Sequence, residues 1–511
     1  MTDHATYPDR IVTPAIVAAL VTLAGFLAVA MAGNGGVFEY PLDDVYIHLA
    51  MAERIASGGY GVNAGEYASA ASSPAYPLLL TPFAGSGAQR WLPLFWNAVS
   101  LVVAAGLLAT ILREAGIGRA AFWLVIAAPA ALSLYGTAYA GMENMAHTAA
   151  SLAIVLGLWR FATFGRVGWL LLGGVFLAPA FRIEGLALAF AAGGVVALLG
   201  RPLAGAGLIA LAAVPVAVFA GFLTMLGLDA LPNSVVAKLS DQGSGGGGIL
   251  ARASANLANN ASAYGGRYLL ALCVVVAVVS IGTLMKDRRA GYIGLAVAAA
   301  GLAHLAFGSV GWLDRYENYA VVSAFAVLAL LLRPASDFLK TGVLTVALVG
   351  GFLTYGPYVD NNMANMRAIN QQQSQMARLA KDYVKVPVAL NDIGYVAWQN
   401  PNYVLDLWGL ANGDALSFRL AGDCKTWVDV LADNHGVQLA MIYDDWLFCN
   451  LGPNWQKIGV LSVTAPGAFL GGPDVSFYAR NAELAPELTR QVKEWMPGLP
   501  EGATFTMAGA K

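Results

Sequence analysis

Polar and apolar positions along this chain fall into blocks. Long apolar runs, each closed by a short polar turn, fill the first two thirds. A membrane-spanning helix needs roughly 20 apolar residues, fewer where it bends or is broken at proline. By that measure eleven runs are expected to span, at 11–33, 91–112, 120–139, 144–163, 167–181, 184–199, 203–227, 268–285, 291–311, 317–332 and 341–358. The first run follows a leader with one Arg and two Asp, and it is too long for a signal-peptide core. It is read as a retained anchor, although Ala28-Val29-Ala30 looks like a cleavage site.

Two stretches depart from this pattern. In the loop at 34–90, Pro41 is followed by Asp43 and Asp44, by Val45, Leu49, Ala52 and Ala56 at helical spacing, and by Gly58-Gly59. Asp is a good N-cap and Gly commonly follows a last turn, so a capped helix lying along the membrane surface is expected. From residue 359 the composition changes. The segment 360–385 is polar with helical spacing; short apolar runs at 386–390, 403–407, 437–443 and 459–463 read as strands, and 425–434 and 487–495 as helices. The expected fold is an α-helical polytopic membrane domain, 1–358, followed by a small α/β domain, 359–511.

Composition agrees. The chain is 58% hydrophobic and only 12% charged, against ~25% charged in an ordinary soluble domain. Its net charge of −2 gives no reason to expect nucleic acid as a partner. Lys and Arg decide orientation. With the N-terminus inside, the short inner turns carry Arg10, Arg113, Arg119, Arg160, Arg166, Arg201, Lys286, Arg288, Arg289, Arg333 and Lys340. The longer outer loops carry fewer. An odd number of spans then puts the C-terminal domain outside, where Cys424 and Cys449 are able to pair.

On that outer side the unusual polar residues collect. Asp43 and Asp44 have two readings: a cap with a first-turn acid favoured by the helix dipole, or a general base or a site for a hard divalent cation (Mg, Mn or Ca). His48 lies one turn beyond Asp44, on the same helix face, with Tyr46 between them. Glu143 sits at the mouth of the fourth span. Arg182-Ile183-Glu184 interrupts an apolar region, and ionisable residues at such depth point to function by default. Asn233 and Lys238 follow the seventh span, and Asp314-Arg315 opens the tenth. The glycine-rich tract at 243–248 is a flexible linker or gate; no Gly-Lys-Ser/Thr follows, so it is no Walker loop.

These motifs, in this order, resemble the GT-C class of polytopic glycosyltransferases. The resemblance runs from Leu42-Asp43-Asp44-Val45 through Ala71-Ser72-Ser73-Pro74, Gly141-Met142-Glu143, Phe181-Arg182-Ile183-Glu184-Gly185 and Leu231-Pro232-Asn233-Ser234 to Asn391-Asp392-Ile393-Gly394 and Leu405-Asp406-Leu407-Trp408-Gly409-Leu410. Mycobacterial terminal arabinofuranosyltransferases are the branch most similar in pattern; Arg182-Ile183-Glu184 stands where that pattern has Arg-Pro-Glu. The resemblance implies a multi-pass protein of the bacterial plasma membrane. It implies inverting transfer of a sugar from a polyprenyl-phosphate donor to a glycan or glycolipid acceptor on the extracytoplasmic face. Asp43 or Asp44 would be the base, with Asp44 favoured by its shared face with His48. Lys238, Arg182, Arg315 and His48 would bind the donor phosphate; Glu143, Glu184, Asn233 and Tyr46 would line the substrate site. The outer domain would bind the acceptor or close the site. A transporter or flippase of a lipid-linked saccharide is the rival reading, disfavoured because no paired halves are visible and the polar groups gather on one side.

Overall fold

The computed structural model describes residues 11–241, 248–422, 426–447, 450–465 and 470–509, without the side chains of 238–241. Cys424, Cys449 and most of the glycine-rich tract lie outside them.

Long apolar runs become helices because lipid offers no partner to a bare backbone, and a helix satisfies its own N–H and C=O groups. Seven described helical segments are long and apolar enough to cross a membrane: Val12–Ala32, Gln89–Glu114, Asn144–Phe164, Pro202–Met225, Tyr264–Leu284, Arg288–Phe307 and Asp337–Val384. This is a helical membrane protein. The other four expected spans coincide with the shorter apolar helices Ala120–Ala131, Trp169–Phe181, Gly185–Leu198 and Asn318–Leu331. The run at 120–139 is not one helix. It contains Pro129, breaks at Ser133 (φ 50°) and resumes as Leu134–Tyr139. Proline removes one helical hydrogen bond and crowds the preceding turn.

Two helices form the axis of the bundle. Every residue of Asn318–Leu331 is buried, as is nearly all of Asn144–Phe164. Peripheral helices such as Pro202–Met225 bury a single stripe, including Leu208, Ala212, Pro215 and Phe219, as expected of a helix with one face to lipid.

The helix Asp44–Ala56 does not leave its apolar face open to lipid. Its residues Val45 to Ala52 are all buried, so it is enclosed between the bundle and the outer domain. Asp43 stands at its N-cap position, but its side chain makes no capping bond there.

A 48-residue helical segment, Asp337–Val384, leads from the bundle into the outer domain. That domain is built on a six-stranded sheet of order β2-β1-β3-β5-β4-β6. The strands are β1 Val388–Leu390, β2 Val404–Asp406, β3 Leu439–Ile442, β4 Gln456–Val463, β5 Asp474–Ala479 and β6 Ala503–Met507. β1 pairs parallel with β2 and β3, with Val388 beside Val404 and Leu439; the remaining pairs are antiparallel. Side chains alternate across the sheet. Val388, Leu390 and Met441 join the core continuous with the bundle, while Ala389, Leu405 and Ala440 pack with Val428 and Leu431 of helix Trp427–Asn434.

The first four strands match the expected apolar runs, and β5 and β6 were not anticipated. β6 was legible: Ala503 and Phe505 are buried and alternate with the exposed Thr504 and Thr506, a period of two.

Candidate functional site

β1 lies between β2 and β3, so the chain leaves β1 first to one side and then to the other. In open α/β sheets such a switch point, at the carboxyl ends of the strands, is where ligands bind. A cavity of about 390 Å³ lies there, lined by Asn391, Asp392 and Ile393 after β1, Trp408 and Leu410 after β2, and Trp446 after β3. Its opposite wall comes from the membrane domain, including Asp44, His48, Ser72, Ser234, Arg315 and Tyr316. The cavity lies between the two domains.

The adjacent acids have different surroundings. Asp43 is only 6% exposed. One of its carboxylate oxygens accepts the backbone N–H of Gly394, and the other accepts that of Tyr395 at 2.8 Å. It therefore holds the start of the short helix Gly394–Ala397 in the outer domain. A side chain at Gly394 would collide with the Asp43 carbonyl. Asp44, with a side chain 37% exposed, lines the cavity and pairs with Arg315 Nη2 at 2.7 Å.

Asp392, which its motif Asn391-Asp392-Ile393-Gly394 leaves without an expected catalytic role, lies against Asp43. It hydrogen-bonds Asp43, and its Oδ2 accepts from Gln373 Nε2 at 2.7 Å. Burial raises both carboxyls above the usual range; the charge of Asp392 raises Asp43 further. Burial and mutual repulsion both work against ionising the two together. Asp406, by contrast, is a turn residue whose oxygens accept the backbone N–H groups of Trp408, Gly409 and Ala411.

Arg315 is buried to 2% exposure. Among the described residues its Nε and Nη1 have no hydrogen-bond partner. It follows a turn in which Trp312, Leu313 and Asp314 all have positive φ, at 52°, 65° and 57°. A left-handed L-residue costs about 1–2 kcal/mol. Asp314 anchors the turn by accepting from Tyr264 Oη at 2.7 Å and from Ser133 Oγ and Asn362 Nδ2 at 3.4 Å.

Behind the cavity lies a second charged group. Arg182 is buried and pairs with Glu143 at 2.7 Å and Glu184 at 2.6 Å. Glu143 Oε1 also accepts from Ser72 Oγ at 2.9 Å, and Ser72 Oγ lies 3.3 Å from His48 Nε2. Burial lowers the His48 pKa from its usual value, against the opposing charges of Glu143 and Asp44. The Tyr316 ring links the two arginines, with guanidinium carbons 4.9 Å (Arg315) and 5.2 Å (Arg182) from its centroid.

The expected site residues thus divide. Asp44, His48 and Arg315 reach the cavity. Arg182 is engaged by two carboxylates, Glu143 and Glu184, behind Ser72, so it is not offered to a ligand phosphate. Asn233 is buried beside the cavity, where its N–H donates to Ser69 Oγ. Lys238 lies on the same helix, Asn233–Asp241, and its side chain is outside the described residues. Tyr46 is away from the cavity. It is fully buried, stacks on Tyr395 with centroids 4.0 Å apart and donates to Glu39, joining helix Asp44–Ala56 to the outer domain.

Asp43 and Asp44 also do not form a cation chelate: backbone amides take both oxygens of one, and a guanidinium takes an oxygen of the other. Among the described residues no three His, Cys, Asp or Glu side chains come together as a cation set.

Residues 364–478 match the family described as "Domain of unknown function (DUF8728)". The match takes in the end of the connecting helix and the sheet through most of β5, including every outer-domain residue that lines the cavity. No curated protein matches the chain.

Proposed function

We propose that this protein is a membrane glycosyltransferase of the GT-C kind, moving a sugar from a polyprenyl-phosphate donor to a glycan or glycolipid acceptor on the extracytoplasmic face. The observation that carries the reading is the Asp44–Arg315 pair. A partly exposed carboxylate and a buried guanidinium with N–H groups to spare share one cavity at the top of a membrane domain. Transfer from a phosphate donor needs both, a base for the acceptor hydroxyl and positive charge for the leaving phosphate.

In this reading the polyprenyl tail stays in the bilayer and the phosphate lies against Arg315. The acceptor hydroxyl gives its proton to Asp44. Its oxygen forms a bond to C1 as the C1–O bond to phosphate breaks on the opposite face, through an oxocarbenium-like state. The products are a glycoside of inverted configuration and the lipid phosphate. Asp43 holds the outer domain over this centre. No step is routed through a divalent ion, because the acids present do not fit one.

The test is radiolabelled sugar transfer from polyprenyl-phosphate sugars in liposomes containing the full chain. Transfer lost in Asp44→Asn, with folding intact, supports the reading. Transfer unaffected in that variant removes Asp44 as base. Movement of a lipid-linked saccharide between leaflets without transfer would favour the flippase reading instead.

A further inference from the structure

The outer wall of the cavity has a chemistry that the Asp44–Arg315 pair does not use. Trp408 follows β2 and Trp446 follows β3, so the sheet brings together two indoles far apart in sequence. Their ring centroids are 4.5 Å apart with planes at 45°. Both are braced from behind. The Arg419 guanidinium lies 3.9 Å from the Trp408 ring centroid, and its Nε donates to the Trp408 carbonyl at 3.0 Å. Trp446 rests on Tyr443, centroids 5.1 Å apart, and on Gly471, where a Cβ would meet both rings. Yet Trp446 remains 39% exposed at the cavity wall. Across the cavity Trp312 is 44% exposed.

Large aromatic surface kept rigid and open beside polar groups is a binding surface rather than a core. An indole face is electron-rich and attracts C–H groups polarised by neighbouring oxygens. The apolar face of a sugar ring presents such groups, while its hydroxyls suit nearby carboxylates. The acids Asp44 and Asp392 line the same cavity and oppose an anionic ring.

We infer that Trp446 and Trp408 form a subsite for a neutral saccharide, stacking one sugar ring against the outer domain. As the acceptor subsite this rests on the transferase reading: the donor phosphate takes Arg315 on the membrane-domain side, and the sugar that accepts takes Trp446 and Trp408 on the C-terminal-domain side. As a saccharide site it is testable without transfer.

The experiment measures tryptophan fluorescence quenching of the full chain in detergent by methyl glycosides of neutral disaccharides (arabinofuranosyl, galactofuranosyl, mannopyranosyl and glucopyranosyl), with a uronate-containing disaccharide as the charged control. Quenching by at least one neutral disaccharide, weakened roughly 10-fold or more in Trp446→Ala and partly restored in Trp446→Phe, is expected. No quenching by any neutral disaccharide, equal affinity for the uronate, or unchanged affinity in Trp446→Ala overturns it. The two readings fail separately. Trp446-dependent binding without sugar transfer sinks the transferase reading alone. Transfer with an acceptor KM indifferent to Trp446→Ala sinks the subsite alone.

Discussion

The carboxylate of Asp43 accepts the backbone N–H of Gly394 from 351 positions away in the sequence. With the Tyr395 N–H on its other oxygen, it ties the first loop of the membrane domain to the strand end that forms the cavity. Its neighbour Asp44 is thereby held facing that cavity.

This division of labour separates the two asparagine variants. Asp44→Asn is expected to fold normally and lose sugar transfer by roughly 100-fold or more, the scale of a missing general base. Asp43→Asn keeps one carbonyl oxygen but turns an NH2 toward a backbone N–H. It is expected to lose about 1–3 kcal/mol of stability. Thermal unfolding of the two purified variants checks this; equal midpoints would contradict the distinction.

Gly394→Ala probes the same contact from the other side. The added methyl collides with the Asp43 carbonyl, backbone against backbone, so neither partner can swing away. The outer domain should loosen from the bundle while each keeps its own helices. Limited proteolysis between the domains should accelerate, with little change in helical content. Unaltered cleavage would mean that this contact does not hold the domains together.

Arg315→Lys preserves charge but not shape. Nη2 alone makes both bonds, to Asp44 and to Tyr316; a Lys ammonium can repeat them but has no planar guanidinium to lie against the Tyr316 ring and lacks the further Nε and Nη1 donors. A fall of roughly 100-fold in transfer is expected, comparable to losing one oxyanion donor. Full activity in Arg315→Lys would show that only net charge matters at this position.

The raised carboxyls of Asp43 and Asp392 predict a pH dependence. Burial raises Asp43 and Asp392, and pushes Asp406 up to about 6 from an ordinary 3.8. Such groups hold protons in the folded state at a pH where the unfolded chain has released them. Their contribution to stability is therefore complete below the unfolded value and is lost as pH rises through the folded one. As pH rises above the ordinary carboxyl value of 3.8, the thermal midpoint should fall more steeply in the wild type than in Asp392→Asn. Identical slopes would argue against a raised carboxyl at Asp392.

Where the sequence was read well, the reason is local. All eleven expected spans contain described apolar helices, because an apolar run in lipid has few ways to satisfy its backbone. Four outer strands were legible from short apolar runs between turns. Tyr46 was misjudged for the converse reason. The resemblance put it in the substrate site, but at about 100° per residue it lies roughly 200° round the helix from Asp44, and it turns to Tyr395 instead.

By itself, the sequence determined a helical membrane domain, a small α/β domain after residue 359, and a set of polar residues spared from the lipid. Those features are written in runs of neighbouring residues, and the solvent around each run selects them. Only the tertiary structure decided which acid faces the cavity, that Asp392 sits against Asp43, that Arg182 is engaged by Glu143 and Glu184, and that Trp408 meets Trp446. Each of these depends on parts of the chain brought together by β1 lying between its neighbours and by a helix buried between two domains. Such contacts are set by packing across long sequence separations, which no local pattern records.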